Sequence, residues 1–266
     1  MIGAGPGDPK LITLRAVEAI RESRAIVYDY LVNPEILAHS RRNTDLIYVG
    51  KRGGHHSISQ SEINRMLIER ALDGEIVARL KGGDPFIFGR GGEEAEALQE
   101  ADVSWEVIPG VSSGVAAAAY AGIPLTHREH SSSVAFITGH DASGSEKKIV
   151  DWKKTAGSAD TLVIFMCAER ISSIVKALVE GGRERSTPIA LVRWGTYEYQ
   201  EVYTGTLADL IDANANDAFK VEPPVVAIVG KVAALTTRLN WFGNEQLRIK
   251  ISERRPSKEL HFVGSR

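Results

Sequence analysis

The sequence predicts an α/β protein made of two α/β domains with mostly parallel or mixed sheets. Apolar runs of strand length alternate with helical patterns, and glycine-rich loops join them. Residues 81–94 contain five glycines and lie between an apolar run at 76–80 and a helix-like run at 93–100. Glycines let a ligand approach the backbone closely, and open α/β sheets bind ligands at the carboxyl ends of their strands. This loop is therefore the first candidate for a binding site.

The composition is that of an ordinary globular protein, with 266 residues, 43% apolar and 25% charged, and a net charge of −2. Near-neutral charge gives no sign of a nucleic-acid or membrane partner, so neither is expected. The single cysteine, Cys167, excludes an internal disulfide and favours a reducing, cytoplasmic setting. No export signal is expected, and Met1 stands directly before Ile2-Gly3, which favours a truncated chain or a late start codon.

The first loop, at residues 3–9, has the spacing G-x-G-x-G, which is neither the dinucleotide fingerprint nor a P-loop. Asp8 and Pro9 are a good N-cap and N1 pair, and they predict that a helix with apolar residues at Leu11, Leu14 and later positions begins here. A tight turn without a ligand explains the glycines equally well.

The remaining elements of the first domain follow in order. Strands are predicted at 25–30, 45–50, 75–80 and 105–108, and an alanine-rich helix is predicted to end at Ala121. Asn33-Pro34 begins a short helix, and Ser59 with Glu62 forms a capping box for a helix at 63–72.

A polar, turn-rich linker at residues 123–128 separates the two domains, which we place at 1–125 and 126–245. The second domain has predicted strands at 133–138, 161–166, 188–194, 201–204 and 225–229 and helices at 171–179 and 207–213. A polar tail at 246–266 shows little periodicity and is expected to be peripheral.

Several short motifs, in order and at consistent spacing, resemble the tetrapyrrole methylase family, and within it the C-methyltransferases that act on uroporphyrinogen III. The resemblance extends over nearly the whole chain up to residue 242. The matching stretches are residues 3–9, 28–32, 48–52, 55–56, 79–96, 109–113, 121–128, 136–140, 161–166, 195–196 and 241–242.

The resemblance implies a tetrapyrrole methylase fold with the active site in the cleft between the domains, and a homodimer. It also implies two methyl transfers from S-adenosylmethionine (SAM) to uroporphyrinogen III, at C-2 and C-7, giving precorrin-2 and S-adenosylhomocysteine (SAH). The residues that would line the cofactor are Pro6, Gly82, Gly83, Asp84, Ile87, Ser112, Ser113, Met166 and Gly195. For Asp84, a turn carboxylate before Pro85 is an alternative.

Methylation of a pyrrole carbon is helped by a carboxylate that removes the ring N–H proton or stabilises developing positive charge. Asp29, at the end of an apolar strand, is the candidate base, and the resemblance implies Lys51 as its proton-donating partner and Arg90 as a third catalytic residue. A turn residue for Asp29 and a solvated cation for Lys51 are the alternatives from sequence alone.

The expected substrate carries eight carboxylates, so the protein must supply several cations. Lysines, arginines and histidines cluster near predicted strand ends and in the linker. We expect Arg90, Glu93, Arg128 and His140 to face the substrate, with Glu93 orienting the Arg90 guanidinium. A structural or surface imidazole remains an equal alternative for His55, His56 and His130.

No metal is expected. Adjacent histidines at 55 and 56 cannot easily chelate one ion together with His127, and no cysteine or acidic partner has suitable spacing. Cys167 follows an apolar strand and is interpreted as a small buried residue. The competing hypotheses are a sister methylase acting on another precursor and a non-catalytic tetrapyrrole or nucleotide binder.

Overall fold

Two β-sheets, one of four strands and one of six, organise the chain. The computed structural model describes residues 1–50, 58–140, 150–215, 219–243 and 246–248. Apolar clusters cover both faces of each sheet. The α/β class, with one parallel and one mixed sheet, agrees with the expectation from the sequence.

The first sheet is entirely parallel, with strand order β1-β4-β2-β3. Parallel strands need crossover connections, and here these place the carboxyl ends of the strands, with their glycine loops, along one edge. The strands are β1 (Ile2–Gly3), β2 (Ala25–Tyr28), β3 (Asp45–Tyr48) and β4 (Val77–Lys81), and the helices are α1 (Leu14–Glu22), α2 (Gln60–Leu72), α3 (Gly91–Glu100) and α4 (Ser113–Tyr120).

The second sheet is mixed, with order β10-β8-β7-β9-β6-β5. Its β5–β6 and β8–β10 pairs are parallel, whereas β9 runs antiparallel to both β6 and β7. The strands are β5 (Val134–Thr138), β6 (Thr161–Phe165), β7 (Pro188–Arg193), β8 (Glu201–Thr206), β9 (Val225–Val229) and β10 (Gln246–Arg248), and the helices are α5 (Trp152–Thr155), α6 (Ile171–Glu180), α7 (Leu207–Ala215) and α8 (Thr236–Leu239).

The capping box before α2 is confirmed. The Ser59 hydroxyl accepts from the Glu62 N–H at 3.2 Å, and the Ser59 N–H donates to Glu62 Oε2 at 2.7 Å. The prediction that Asp8 caps the first long helix is wrong. Asp8 instead caps a short 3-10 turn, Pro9–Leu11, and Thr13 caps α1.

The expected strand at 105–108 is absent from the described structure. Only Ile108 pairs there, through a single bridge to Ile2, because β1 is just two residues long. The tail also contributes a short strand that was not predicted, since β10 pairs with β8 at the edge of the second sheet. Both differences concern pairing partners, which a local pattern does not reveal.

A cavity of about 370 Å³ lies at the amino ends of the first sheet's strands. It forms because β1 pairs only with Leu80 and Lys81, so the amino-terminal part of β4 has no strand beside it on that side among the residues described. Met1 and Trp105 are among its lining residues. The cavity is at the opposite end of the sheet from the glycine loops. No helix of the described chain is long and apolar enough to cross a membrane.

Candidate active site

Three backbone loops, residues 3–9, 82–90 and 109–113, interlock at the carboxyl ends of β1 and β4. The Gly5 N–H donates to the Gly83 carbonyl at 3.1 Å, and the Gly83 N–H donates back to the Gly5 carbonyl at 2.7 Å. A Cβ added to Gly110 would lie 2.3 Å from the Gly83 oxygen and 2.7 Å from Gly3 Cα. Backbone packs directly on backbone here, which is why Gly3 and Gly110 carry no side chain.

Seven of the predicted cofactor residues lie on these loops or at the start of α4: Pro6, Gly82, Gly83, Asp84, Ile87, Ser112 and Ser113. Asp84 accepts from the Phe86 N–H at 2.9 Å and from the Gly110 N–H at 3.1 Å. The contact with Phe86 is that of a local turn, and the contact with Gly110 joins the second loop to the third. Ser112 is buried and caps α4, whereas Ile87 is exposed.

The other two predicted cofactor residues come from the second sheet. Met166 follows β6 and is exposed, while Gly195 follows β7. Phe88 packs on Phe165 with ring centroids 5.0 Å apart, so loop 82–90 touches the second sheet directly beside Met166. A Cβ on Gly195 would lie 2.6 Å from the Ala117 Cβ of α4. Loops from both sheets thus converge on one region.

Two more contacts join the first loop to its surroundings. The Asp8 N–H donates to Thr196 Oγ1 at 2.9 Å, and the Asn33 side-chain amide donates to the Gly7 carbonyl at 2.8 Å. Tyr30 packs on Trp194 with ring centroids 6.1 Å apart. The segment that carries Asp29 is therefore fastened to the same loops.

Backbone strain concentrates in these loops. The described chain has six non-glycine residues with positive φ, and five of them lie here: Phe88, Arg90, Met166, Trp194 and Thr196. Such conformations cost on the order of 1–3 kcal/mol each and collect at functional sites. The left-handed conformations of Trp194 and Thr196 were not predicted from the sequence, because nothing in the local pattern indicates them.

Asp29 lies directly after β2 with its side chain 29% exposed. Its Oδ1 accepts from the Leu31 N–H at 3.2 Å, and its Oδ2 lies 3.6 Å from Arg79 Nη2. A Cβ on Gly82 would lie 2.7 Å from the Leu31 Cβ, so the glycine loop packs against this turn. Lys51, its predicted partner, falls outside the residues that the structure describes, as do Arg52, His55 and His56.

Arg90 is the N-cap residue of α3 and makes a two-pronged contact with Glu93. Its Nε donates to Glu93 Oε1 at 2.9 Å and its Nη2 to Glu93 Oε2 at 2.6 Å. These hydrogen bonds raise the pKa of Arg90 and lower the pKa of Glu93. Both side chains are more than half exposed, so a fixed guanidinium is presented at the edge of the glycine loop.

The other two expected substrate contacts lie at opposite ends of β5. His140 follows the strand, near the Phe165 end of β6, because the Gly139 N–H donates to the Phe165 carbonyl at 2.7 Å. Arg128 lies in the loop before the strand, where His127 and Ser131 form a bridge. Five strand residues separate the two loops by about 17 Å, so the structure does not bring Arg128 and His140 to one point.

Sequence reasoning missed a buried ionic cluster beside Asp29, formed by Arg79, Lys81 and Glu94. Glu94 Oε1 lies 3.1 Å from Arg79 Nε, 2.8 Å from Lys81 Nζ and 3.1 Å from Gln60 Nε2. The signal available in the sequence was two cations alternating with apolar residues in a central strand.

Protonation in this cluster is set by burial and by the partner charges. Burial lowers the pKa of Lys81, and the neighbouring Arg79 lowers it further against the opposing pull of Glu94. Burial raises the pKa of Glu94, but the attraction of Arg79 and Lys81 outweighs this and holds that pKa below its usual value. Glu94 therefore stays ionised near neutral pH, because its pKa lies below the ordinary value of a glutamate.

One group in the described chain has the composition of a metal site. The ligand-type atoms of His127, Glu129 and His130, here called the histidine cluster, lie within 4.8 Å of one another. The two rings stack with centroids 4.6 Å apart, and His127 Nδ1 already accepts from the Glu129 N–H at 3.2 Å. The absence of a bound metal remains a prediction. Cys167 is buried, and desolvation raises its pKa to about 12, which makes it a poor nucleophile at neutral pH.

Comparison with known proteins identifies relatives over most of the chain. The profile of the Tetrapyrrole (Corrin/Porphyrin) Methylases matches residues 1–211. The uroporphyrinogen-III C-methyltransferase of Bacillus subtilis is 45% identical over 255 residues, covering 95% of this chain and 97% of that protein. Siroheme synthase 2 of Aeromonas hydrophila is 49% identical over 247 residues.

The chain spans about half the length of that sirohaem synthase, covering 92% of this chain and 51% of that protein. Among solved structures, the uroporphyrin-III C-methyl transferase of Thermus thermophilus in complex with S-adenyl homocysteine is 34% identical, with a TM-score of 0.74. That match covers 88% of this chain and 97% of the other. The chain belongs to the tetrapyrrole methylase family.

Proposed function

We propose that this chain is a SAM-dependent C-methyltransferase that methylates uroporphyrinogen III twice, at C-2 and C-7, to give precorrin-2. One observation carries the proposal: glycine loops from the first sheet and strand-end loops from the second converge beside a carboxylate, Asp29. A nearly full-length relative in Bacillus subtilis bears the name of this activity.

The residues at the convergence fit SAM, which has an aromatic adenine ring with an apolar face and a charged amino-acid end. Ile87, Phe88 and Met166 expose apolar surface there. Gly83 has a φ of 69°, and in the direction of a Cβ it meets nothing closer than the Ser113 N at 3.5 Å, so ligand atoms can approach its backbone. A relative has been solved with S-adenyl homocysteine.

The chain's own residues supply position and a base. When bound, SAM supplies the electrophilic methyl group. Asp29 would accept the proton of a pyrrole N–H, which raises the electron density of the ring carbon that is to be methylated. The Leu31 N–H and Arg79 hold its carboxylate oxygens. Lys51 is proposed as the proton donor.

The remaining proposed contacts bind the substrate carboxylates. Arg90, fixed by Glu93, presents a guanidinium at the edge of the loop that also carries the cofactor residues. Arg128 and His140, about 17 Å apart along β5, would meet different carboxylates of one large macrocycle.

Four further expectations remain predictions. The two sheets would form separate domains meeting at about residue 125, the protein would be a homodimer, and it would act in the cytoplasm without a metal. Sedimentation velocity on the purified chain tests the dimer directly.

The test of the proposal is an anaerobic incubation of the purified protein with SAM and uroporphyrinogen III, followed by mass analysis. We expect a doubly methylated tetrapyrrole, and little or none from the Asp29→Asn variant. A folded protein that binds SAH yet methylates no tetrapyrrole would contradict the proposal. Methylation of a different precursor, with none on uroporphyrinogen III, would identify a sister methylase instead.

A further inference from the structure

The buried cluster of Arg79, Lys81 and Glu94 lies behind the proposed base and has a conspicuous charge pattern. Arg79 and Lys81 are 5% and 3% exposed, and Glu94 is fully buried. Two buried cations therefore share one buried carboxylate. Buried charges are costly unless they are paired, so the cluster needs a second anion. Asp29, 3.6 Å from Arg79, is the described carboxylate that supplies it.

The contacts of Arg79 leave one arm of its guanidinium for Asp29. Nε donates to Glu94 Oε1 at 3.1 Å, and Nη1 donates to the Leu80 and Val27 carbonyls at 3.0 and 3.3 Å. With these contacts made, the planar group has a fixed orientation and Nη2 points toward Asp29 Oδ2.

The hydrogen bonds to Glu94 all fall on one of its two carboxylate oxygens. Arg79, Lys81 and Gln60 all donate to Oε1, whereas the buried Oε2 has no hydrogen-bond partner among the residues that the structure describes. An unsatisfied buried oxygen costs about 1–3 kcal/mol, and a cluster that served stability alone would gain by pairing it. The arrangement therefore favours a functional role for the orientation of the Arg79 guanidinium.

We propose that Glu94 and Arg79 are positioning residues: Glu94 holds the Arg79 guanidinium, and Arg79 holds the Asp29 carboxylate in the orientation needed to take the substrate proton. This inference rests on the proposed function. It also couples the first helical turn after the glycine loop, where Glu94 lies, to the turn after β2, where Asp29 lies.

Charge-conserving substitutions test whether the geometry of the cluster matters when its charges are kept. Arg79→Lys keeps the cation but cannot make all three sets of contacts, and Glu94→Asp keeps the anion but is one methylene too short to reach both cations. For each variant we expect kcat to fall by about tenfold or more, because small misplacements of a catalytic group are costly. The dissociation constant for SAH should stay within about twofold, because Asp29 belongs to the substrate side of the site.

A double-mutant cycle adds a readout that a merely structural role would not produce. In single-turnover assays, each substitution should add less than about a twofold loss in an Asp29→Asn background, because the group it positions is already disabled. Glu96→Asp, on the exposed face of the same helix, is the matched control and should behave as wild type.

The outcomes are distinguishable. An unchanged kcat in both variants overturns the positioning role, and so does a loss of SAH affinity in parallel with kcat. Losses that multiply with that of Asp29→Asn overturn it as well. If Asp29→Asn shows no measurable turnover, the kcat and SAH data of the single variants decide. Full activity of Asp29→Asn refutes the base assignment, whereas an inactive wild type refutes the proposed function itself.

Discussion

The interlocked glycine loops predict a specific failure when one methyl group is added. In Gly110→Ala, the new Cβ would lie 2.3 Å from the Gly83 carbonyl oxygen, where ordinary contact begins near 3.4 Å. The atoms that the new Cβ would meet belong to the backbone of Gly83 and Gly3, so no side chain can rotate away to relieve the clash. The loops must separate by about 1 Å, and overpacking of this kind typically costs about 1–3 kcal/mol.

That displacement falls on the proposed cofactor site. The Gly83 carbonyl also accepts from the Gly5 N–H at 3.1 Å, so moving it disturbs all three loops at once. If binding the cofactor restores the native arrangement, the clash energy appears as lost affinity. Since 1.4 kcal/mol is a factor of ten, we expect SAH to bind about 10- to 100-fold more weakly.

Isothermal titration calorimetry with SAH measures this loss of affinity, and thermal unfolding checks that the variant is folded. Gly157→Ala is the matched control, because a Cβ there meets nothing within 4 Å. Gly3→Ala should reproduce the loss, since its Cβ would lie 2.4 Å from the Gly110 N. Wild-type SAH affinity in Gly110→Ala would refute the claim that these loops form the cofactor site.

Three further predictions concern the substrate, the buried carboxylate and metal. Arg90→Ala should abolish turnover and leave SAH affinity nearly unchanged, because Arg90 is assigned to the substrate. Arg185→Ala, which removes an exposed ion pair elsewhere, is the control. A large loss of SAH binding in Arg90→Ala would show that Arg90 contacts the cofactor and not the substrate. Glu94→Gln should lower the free energy of unfolding by about 3–5 kcal/mol at neutral pH. Because the pKa of Glu94 is lowered in the folded state, the stabilisation that its charge provides is complete above its unfolded pKa of about 4.3 and is lost as the pH falls through the folded pKa. The unfolding free energies of Glu94→Gln and wild type, measured by urea titration, should therefore converge in acid. Glu96→Gln is the control and should change little. Dialysis against EDTA should leave turnover unchanged; a loss that zinc restores would implicate the histidine cluster.

Much of the fold follows from local patterns. The capping box at Ser59 and the apolar runs that became β2 and β9 act through neighbouring residues, so the sequence alone locates them. The missing strand at 105–108 and the added strand β10 depend on which distant strand offers a free edge. Pairing of that kind is a tertiary property, and periodicity does not encode it.

Some features of the candidate site can likewise be predicted from local sequence, and others cannot. The glycine loop at 82–90 and the strand-terminal Asp29 are visible as sequence features because glycines and polar residues interrupt apolar runs. The cluster around Glu94 is not, because Arg79 and Glu94 are fifteen residues apart and meet only after α3 packs on the sheet. The contact of Thr196 with Asp8, across the two sheets, is equally invisible beforehand.

The most direct test of the central claim is carbon-13 NMR of the product formed anaerobically from uroporphyrinogen III and SAM labelled in its methyl group. The account predicts two labelled methyl groups, each bonded to a ring carbon, at C-2 and C-7. A single labelled methyl as the end product, label on nitrogen or oxygen, or label at other ring carbons would contradict it.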